Sequence, residues 1–344
     1  MDIESLRGLP KAELHQHLDG SVRPATAVEL AAAIGMPLML EEATARMVGP
    51  ERCTDQAQLL GFFDLPIALL QDAAALERVA DELVVDLAGD GIRYAEIRWA
   101  PRLHLERGLS VEAVIEAVAA GVLRAVERLG PAAPLVGLIV TAMRQHPPAV
   151  NADLARIAGA FGAPVLAFDL AGPEAEWPAP PHAIAFVTAR EAGLALTAHA
   201  AEVPGPLRVR EVLDFGVRRV AHGATAIEDA SLVDLLRARD VTLDLCPTSN
   251  VQAGLVARLE DHPMAALHRA GVSVTISTDD RTVTGMSLTA EMARAATALE
   301  LTAAELAEIA LNAFARGFGP PSLLEPLHDE ARRAWSAWRR GGIS

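Results

Sequence analysis

The sequence predicts a (β/α)₈ barrel of the TIM type, formed by a single domain over residues 1–344. Three observations predict this fold. Eight short apolar segments of strand character alternate with longer segments rich in Ala, Leu, Glu and Arg. Hydrophobic residues make up 51% of the chain, which is enough for a large core. The length of 344 residues suits one α/β barrel, since such barrels commonly exceed roughly 200 residues as single units.

The eight strand candidates are near-continuous apolar runs. In chain order they are Ala12–His17, Ile92–Trp99, Leu135–Met143, Val165–Leu170, Leu194–His199, Arg219–His222, Val241–Leu245 and Val272–Ser277. Such runs are typical of parallel strands that are buried on both faces. A doubly wound open sheet would also alternate strands and helices, but it would not need eight similar units.

The segments between the strands predict helices, among them Val111–Leu129, Asn151–Ala160 and Asp229–Arg239. The helical section Pro24–Glu82, between the first two strands, is longer than an ordinary crossover. We expect it to be an insertion that covers the mouth of the barrel. No linker, charge block or low-complexity segment divides the chain, which favours a single domain. The arginine-rich stretch Arg332–Arg340 indicates one face of a terminal helix.

Composition limits the possible partners. The formal net charge of −15 argues against a nucleic-acid backbone or an anionic membrane surface as the main partner. Two cysteines, Cys53 and Cys246, form no disulfide framework and suit a reducing compartment. The first residues lack an apolar signal segment, and no apolar run is long and uncharged enough to span a bilayer. A cytoplasmic location is therefore expected, while nothing indicates an oligomeric state.

Four clusters of polar residues follow apolar strand candidates. They are Glu13–His17, His199–Glu202, Ala221–Gly223 and Ser277–Asp280, at candidate strands one, five, six and eight. The catalytic groups of a (β/α)₈ barrel lie at the carboxyl ends of its strands, where the loops converge. All four clusters meet this requirement, so we expect them to form one site.

Three histidines and one aspartate in these clusters suit a divalent metal ion. His15 and His17 are two positions apart, so strand geometry places both imidazoles on one side. His199 adds a third nitrogen, and Asp279 adds a carboxylate from the last strand. Three His and one Asp, with room left for water, are typical of a catalytic site. Zinc suits these ligands, although iron or manganese would also accept them.

Glu202, His222 and Asp280 lie next to the predicted ligands. A carboxyl group beside the metal, such as Glu202, can shuttle protons. His222 can orient or deprotonate the attacking water, and Asp280 can accept a hydrogen bond from the substrate or from His222. Six further histidines have no partners at metal-ligand spacing and are interpreted as ordinary. They are His104, His146, His182, His262, His268 and His328.

Seven segments together resemble the adenosine deaminase family of the metal-dependent amidohydrolases. They are Leu9–Ser21, Tyr94–Arg98, Asp169–Gly172, His199–Glu202, Ala221–Gly223, Cys246–Asn250 and Ser277–Asp280. They cover nearly the whole chain in the family's order, and the first and last are highly specific. The resemblance implies an aminohydrolase that replaces the 6-amino group of a purine nucleoside, converting adenosine to inosine and ammonia.

The resemblance also implies residue roles. One zinc ion per subunit would be held by His15, His17, His199 and Asp279. His222 would accept a proton from the attacking water, and Glu202 would protonate N1 of the purine. Asp280 would hydrogen-bond to N7, the backbone N–H of Gly172 would contact N3, and Asp19 would reach the sugar.

The substrate stays open among several 6-aminopurines. Pro173 stands where the family commonly has an acidic or amide residue, which predicts an altered purine edge or sugar side of the pocket. Arg102, just past the second strand, is either a surface arginine or a partner for the carboxylate of an extended substrate. Adenosine is the first expectation. Aminodeoxyfutalosine, a precursor in menaquinone biosynthesis, follows, and adenine and N6-substituted adenosines or adenylates are further alternatives.

Three other classes of protein fit the sequence less well. A barrel hydrolase of amides or phosphate esters often has two metals bridged by a modified lysine, but no lysine follows a central strand here. A non-enzymatic metal-stabilised barrel would not need Glu202, His222 and Asp280. The deaminase architecture with a Pro-Cys-x-x-Cys motif is excluded, because Cys53 and Cys246 are far apart in sequence.

Overall fold

The computed structural model of the protein describes residues 3–341, and eight parallel strands form its centre. Each strand is hydrogen-bonded to the next in chain order. They are β1 (Lys11–His17), β2 (Ile92–Trp99), β3 (Leu135–Met143), β4 (Val165–Ala171), β5 (Ala195–Ala200), β6 (Arg219–His222), β7 (Thr242–Leu245) and β8 (Ser273–Ile276). Every predicted strand is present, with ends that differ by at most one residue. The predicted barrel is confirmed.

The barrel closes where the chain beyond β8 meets the end of β1. The backbone N–H of His17 donates to the carbonyl of Asp279 at 2.8 Å, and the N–H of Asp279 donates to the carbonyl of His15 at 3.2 Å. These bonds continue the parallel pairing across the seam. In a doubly wound open sheet the first and last strands would not be hydrogen-bonded to each other. The fold is therefore a closed barrel.

Seventeen α-helices lie in the described part of the chain. They are α1 (Ile3–Arg7), α2 (Pro24–Ala33), α3 (Leu40–Met47), α4 (Gln56–Leu60), α5 (Asp64–Leu69), α6 (Ala73–Gly89), α7 (Val111–Leu129), α8 (Pro148–Phe161), α9 (Ala183–Glu191), α10 (Leu207–Leu213), α11 (Ala230–Ala238), α12 (Pro247–Gln252), α13 (Met264–Arg269), α14 (Arg281–Thr284), α15 (Leu288–Ala298), α16 (Ala303–Arg316) and α17 (Pro321–Gly341). Three of them, α7, α8 and α11, were predicted within three residues at either end.

The insertion after β1 is shorter than predicted. Helices α2 to α5 lie between β1 and α6, and α4 and α5 reach the mouth of the barrel. Helix α6 instead packs against α7 and β2, as an outer helix of the barrel does. Its buried stripe, which includes Leu76, Leu83 and Leu87, repeats at helical spacing and faces the barrel. The predicted end of the insertion, Glu82, therefore lies within α6, which is an ordinary outer helix of the barrel.

Two buried arginines tie the strands together inside the barrel. Arg98 and Arg219 both donate to the carbonyl of Leu14 in β1, at 2.8 and 3.5 Å. Arg219 also pairs with Asp244 at 2.9 Å and with Glu96. Because both arginines are paired and hydrogen-bonded, their burial leaves no isolated charge in the core.

The terminal helix α17 packs under the amino end of the barrel. The indole N–H of its buried Trp335 donates to the carbonyl of Pro10 at 2.9 Å, immediately before β1. The predicted terminal helix is confirmed. Among the described residues, no helix is both long enough and apolar enough to span a bilayer.

Candidate active site

The four predicted metal ligands meet at the carboxyl end of the barrel. His15 and His17 lie on β1, His199 lies on β5, and Asp279 follows β8. One ligand atom from each residue lies within 4.8 Å of those of the other three. All four residues are buried or nearly so. Strands on opposite sides of the barrel thus bring together groups that are far apart in sequence.

The distances between these donor atoms fit a small divalent cation. Nε2 of His17 lies 3.3 Å from Nε2 of His15 and 3.1 Å from Nε2 of His199. Oδ1 of Asp279 lies 2.9 Å from Nε2 of His15 and 3.3 Å from Nε2 of His17. Tetrahedral zinc, with bonds of about 2.0–2.1 Å, places its ligand atoms about 3.3 Å apart. A ring proton can lie between only two of these imidazole nitrogens, whereas a cation at the centre of the cluster can bind the lone pairs of all three.

Burial prepares the ring nitrogens to act as ligands. It lowers the pKa of His17 to about 3 and that of His15 well below its usual value, so both rings are neutral. Burial alone would raise the pKa of Asp279, but the neighbouring imidazoles, His15 foremost, hold it well below its usual value. His15, His17 and Asp279 therefore present two neutral nitrogens and one carboxylate, which is the charge state that metal binding requires.

A second layer of buried groups orients the ligands. Nδ1 of His199 donates to the carboxylate of Asp169, at 3.0 Å from Oδ2 and 3.2 Å from Oδ1, which leaves Nε2 for the metal. Burial alone would lower the pKa of His199, but Asp169 outweighs it and raises this pKa. Arg98 and Thr141 donate to the same carboxylate. The hydroxyl of Ser249 donates to Oδ2 of Asp279 at 2.7 Å.

Unusual backbone conformations place three residues at the strand ends. Ala201, His222 and Asp279 have φ values of 62°, 67° and 65°, a left-handed region that residues with a Cβ rarely adopt. Such strain concentrates at functional sites, where the surrounding structure enforces it. These three residues change the direction of the chain at the ends of β5, β6 and β8, where the side chains of the site project.

Glu202 and His222 lie next to each other beside the ligands. Oε1 of Glu202 is 3.4 Å from Nε2 of His222, which in turn is 3.7 Å from Oδ2 of Asp279. Burial raises the pKa of Glu202 to about 7, with the charges of Asp279 and Glu174 adding to this effect and His199 opposing it. A carboxyl group with this pKa can give and take a proton near neutral pH.

Asp280 is a second buried carboxyl with a raised pKa. Burial, followed by the charges of Asp279 and Asp19, raises the pKa of Asp280 well above its usual value, which favours the protonated form. Its carboxyl lies against Gly20, where any Cβ would overlap Oδ1 of Asp280. Glycine at position 20 is thus required for Asp280 to keep this position. Burial also raises the pKa of Asp19 to about 6.

A cavity of about 400 Å³ opens onto the ligands. Its lining comes from the strand ends and from the inserted helices α4 and α5: His17, Asp19, Leu59, Leu60, Phe63, Asp64, Ile67, Ala100, Leu103, Thr141, Met143, Gln145, Ala171, Gly172, Pro173, His199, Glu202, Asp279 and Asp280. The insertion supplies an apolar wall, as expected of a segment that covers the mouth. No lysine or arginine is among the described residues that line the cavity.

Comparison with known proteins identifies the family. A family profile described as adenosine deaminase matches residues 10–332. An adenosine deaminase of Clostridium perfringens is 36% identical over 328 residues, which cover 94% of this chain and 98% of that protein. The chain belongs to the adenosine deaminase family. It is a deaminase, an enzyme of the aminohydrolase class, on a TIM barrel of the amidohydrolase type.

Two solved structures of deaminases resemble the whole chain. The adenine deaminase of Arthrobacter aurescens has a TM-score of 0.88 and 28% identity, and the likeness covers 96% of this chain and 99% of the other. The N6-methyl-AMP deaminase of Arabidopsis thaliana has a TM-score of 0.85 and 26% identity, covering 98% of each chain. Deaminases named for different substrates, adenine and N6-methyl-AMP, thus share the fold of this chain.

Gly172 lies in the cavity wall with a φ of 107°, which favours glycine. A Cβ at this position would lie 2.7 Å from Oε1 of Gln145. That oxygen is buried without a hydrogen-bond partner among the described residues. Gln145 was not among the predicted site residues of this deaminase, because a single glutamine after a strand carries no recognisable spacing.

Glu174, two residues after Gly172, has a positioning role that the motif alone does not reveal. Its buried carboxylate accepts backbone N–H bonds from Ala201 at 3.0 Å, Glu202 at 2.8 Å and Val203 at 3.3 Å. Arg144 pairs with it at 3.4 Å. Glu174 thereby fixes the loop after β5 that carries Glu202. Pro173, expected to alter the pocket, lines the cavity beside Gly172.

Arg102 is not brought into the cavity of this deaminase. Nη2 of its guanidinium lies 3.1 Å from Oδ2 of Asp153 on α8, outside the lining residues. The neighbours Ala100 and Leu103 do line the cavity, so the short helical turn after β2 directs the arginine away from it. This placement agrees with the interpretation of Arg102 as a surface arginine.

Proposed function

We propose that this protein is a zinc-dependent adenosine deaminase that replaces the 6-amino group of adenosine with oxygen from water and releases ammonia. The observation that carries the proposal is the pair of buried carboxyl groups with raised pKa values, Glu202 and Asp280, beside the His₃Asp cluster. N1 and N7 of a 6-aminopurine lie on either side of its 6-amino group, and both are hydrogen-bond acceptors. Two carboxyl groups in one cavity, in both of which burial favours the protonated form, suit both acceptors.

The metal is proposed to be one zinc ion per subunit, held by His15, His17, His199 and Asp279. Imidazole nitrogens and a carboxylate at these separations suit zinc. When bound, zinc acts as a Lewis acid that makes hydroxide available from water at neutral pH. Asp169 fixes the tautomer of His199 from behind, and Ser249 holds Asp279, so the ligand set is preorganised.

Glu202 is proposed to protonate N1 of the purine. Protonation at N1 draws electrons from C6 and makes that carbon more open to attack by water. Its pKa of about 7 leaves a large fraction protonated at neutral pH, while the group stays acidic enough to release the proton. Asp280, protonated, would donate to N7 and hold the ring so that C6 faces the ligand cluster. His222 lies 3.4 Å from Glu202, where it can position the attacking oxygen.

We propose that further contacts are made to N3 of the purine and to the ribose. The backbone N–H of Gly172 would donate to N3, which the lack of a Cβ permits. Asp19, at the cavity wall, would accept a hydrogen bond from a ribose hydroxyl. Apolar residues of the insertion, among them Phe63 between α4 and α5 and Ile67 on α5, would cover the bound nucleoside and exclude water.

The lining of the cavity favours adenosine over anionic substrates. A 5′-phosphate or an extended substrate with a carboxylate needs a cation nearby, and the lining residues include acidic groups but neither lysine nor arginine. Arg102, a candidate for that role from the sequence, is paired with Asp153 instead. Adenine, which lacks the sugar, is the second candidate, because the orphaned carbonyl of Gln145 beside Gly172 can accept a hydrogen bond from a free N9–H.

Ammonia release by the zinc-loaded protein tests this proposal. Adenosine, adenine, aminodeoxyfutalosine and N6-methyl-AMP should be compared at equal concentrations, with kcat/KM as the measure. We expect adenosine to have the highest value and the two anionic substrates the lowest. A preference for aminodeoxyfutalosine or N6-methyl-AMP would overturn the substrate assignment. No ammonia from any of the four, with zinc bound, would overturn deamination of a 6-aminopurine.

A further inference from the structure

His262 lies at the start of a chain of hydrogen bonds that ends at His222. The backbone N–H of Met264 donates to Nδ1 of His262 at 3.2 Å. Nε2 of His262 lies 3.0 Å from Oδ1 of Asn250, and Nδ2 of Asn250 lies 3.1 Å from Nδ1 of His222. His222, Asn250 and His262 are 1%, 1% and 3% exposed, so water has little access to these bonds.

The direction of every bond in this chain follows from its first member. A backbone N–H can only donate, so Nδ1 of His262 is the acceptor and carries no proton. Burial lowers the pKa of His262 to about 3, so the neutral ring has its one proton on Nε2. That proton requires the oxygen of Asn250 as its acceptor. The amide nitrogen of Asn250 therefore faces His222, and it donates to Nδ1.

We propose that His262 is a positioning residue that acts through Asn250 to hold His222 in the tautomer with its proton on Nε2. Nε2 of His222 faces the site, where it is buried without a hydrogen-bond partner among the described residues. The nearest carboxylate oxygens are 3.4 Å away on Glu202 and 3.7 Å away on Asp279. The amide and the second histidine thus fix which nitrogen of His222 offers a proton to the centre of the site.

This tautomer changes the role of His222. The family resemblance implied that His222 accepts a proton from the attacking water. With Nε2 already protonated and Nδ1 engaged by Asn250, the neutral ring has no free lone pair toward the site. It donates a hydrogen bond to the oxygen that attacks C6 and neither gains nor loses a proton. The first proton of the attacking water instead passes to Glu202, which is a carboxylate once it has protonated N1, and the second leaves with the 6-amino group as ammonia. This last step rests on the proposed deaminase function, whereas the tautomer does not.

Nitrogen NMR of the zinc-loaded protein tests the proposal without any substrate. Protonated and unprotonated imidazole nitrogens give separate ¹⁵N signals, and the signals of His222 can be assigned from their loss in His222→Gln. We expect a protonated Nε2 and an unprotonated Nδ1 for His222. A protonated Nδ1 in the wild-type protein would overturn the proposal.

Substitutions of Asn250 and His262 test whether the relay sets this tautomer. Asn250→Asp replaces the amide donor by a carboxylate that can only accept, so the proton of His222 should move to Nδ1. His262→Gln keeps a donor at the position of Nε2 and should keep the wild-type signals. His262→Asn is the matched control, because its shorter amide cannot reach Asn250. It should give a mixture of the two tautomers. Unchanged His222 signals in both Asn250→Asp and His262→Asn would contradict the relay.

Kinetics provide the second readout. Asn250→Asp and His262→Asn should lower kcat by about 10- to 100-fold, the range typical of outer-shell partners of active-site groups, with KM nearly unchanged. His262→Gln should recover most of the loss seen in His262→Asn. Equal losses in His262→Gln and His262→Asn would indicate a merely structural role. If the tautomer is as expected but adenosine is not deaminated, the proposed substrate fails and the relay stands.

Discussion

Replacing Glu202 by glutamine removes the proton that the proposed reaction needs and leaves the shape of the side chain unchanged. The pKa of Glu202 rises from 4.5 to about 7, mainly through burial. This rise corresponds to about 3 kcal/mol in favour of the protonated form. At pH 7 about half of the enzyme then has a protonated Glu202, against about one molecule in 300 for a carboxyl of ordinary pKa. The fold thus provides the acid at neutral pH.

Glu202→Gln should lower kcat by about 10²- to 10⁴-fold, the usual contribution of general acid catalysis. KM and zinc content should change little, because the amide still donates a hydrogen bond and Glu202 is not among the ligands. Ammonia release gives the rate, and metal analysis of the same sample gives the zinc content. The matched control, Glu202→Asp, keeps an acid one methylene shorter. Glu202→Gln with more than a tenth of the wild-type kcat would refute the role of Glu202 in proton transfer.

The same substitution has a consequence for stability. An unfolded Glu202 loses its proton near pH 4.5, and the folded one near pH 7. Between these values the folded state binds more protons than the unfolded state, so the stability of the metal-free protein falls as the pH rises. The full loss, about 3 kcal/mol, is reached above pH 7. Metal-free Glu202→Gln should therefore be more stable than metal-free wild type at pH 8 in urea unfolding, and this advantage should shrink toward pH 4.5.

Three further substitutions separate metal binding from substrate binding. His17→Ala should lose zinc, because Nε2 of His17 lies within 3.3 Å of three other donor atoms; a normal zinc content in the purified variant would remove it from the ligand set. Asp169→Asn should weaken zinc affinity by about 10- to 100-fold through the tautomer of His199, as a competition assay with a chelator would measure. Unaltered affinity would contradict that second-layer role. Arg102→Ala should leave kcat/KM for adenosine unchanged, since Arg102 pairs with Asp153 outside the cavity, and a large rise in KM would show that it contacts the substrate.

The barrel and the metal cluster were predictable because each depends on local patterns. Eight apolar runs identified the strands to within one residue at each end. The alternation of side chains along β1 placed His15 and His17 on one side, and the barrel rule placed His199 and Asp279 at the same rim. Both arguments need only the spacing of residues within a strand and the direction in which parallel strands run.

The layer behind the ligands was not predictable, since it depends on contacts between distant segments. Glu174 holds the loop that bears Glu202, 28 positions away in sequence, and no spacing rule joins the two. His262 was interpreted as ordinary because it has no partner at metal-ligand spacing, yet it bonds to Asn250. For Arg102 the sequence suggested a role in the site that the structure does not show. It lies just past a strand end, but the helical turn after β2 directs its side chain away from the cavity.

The central claim is that a metal held by His15, His17, His199 and Asp279 supports deamination of a purine at C6. The most direct test is the conversion of adenosine by protein that has been stripped with a chelator and then reloaded with one zinc ion per chain. We expect no inosine or ammonia from the stripped protein, and one ammonia per inosine after reloading. Full activity in the stripped protein, or none in the reloaded protein, would contradict it.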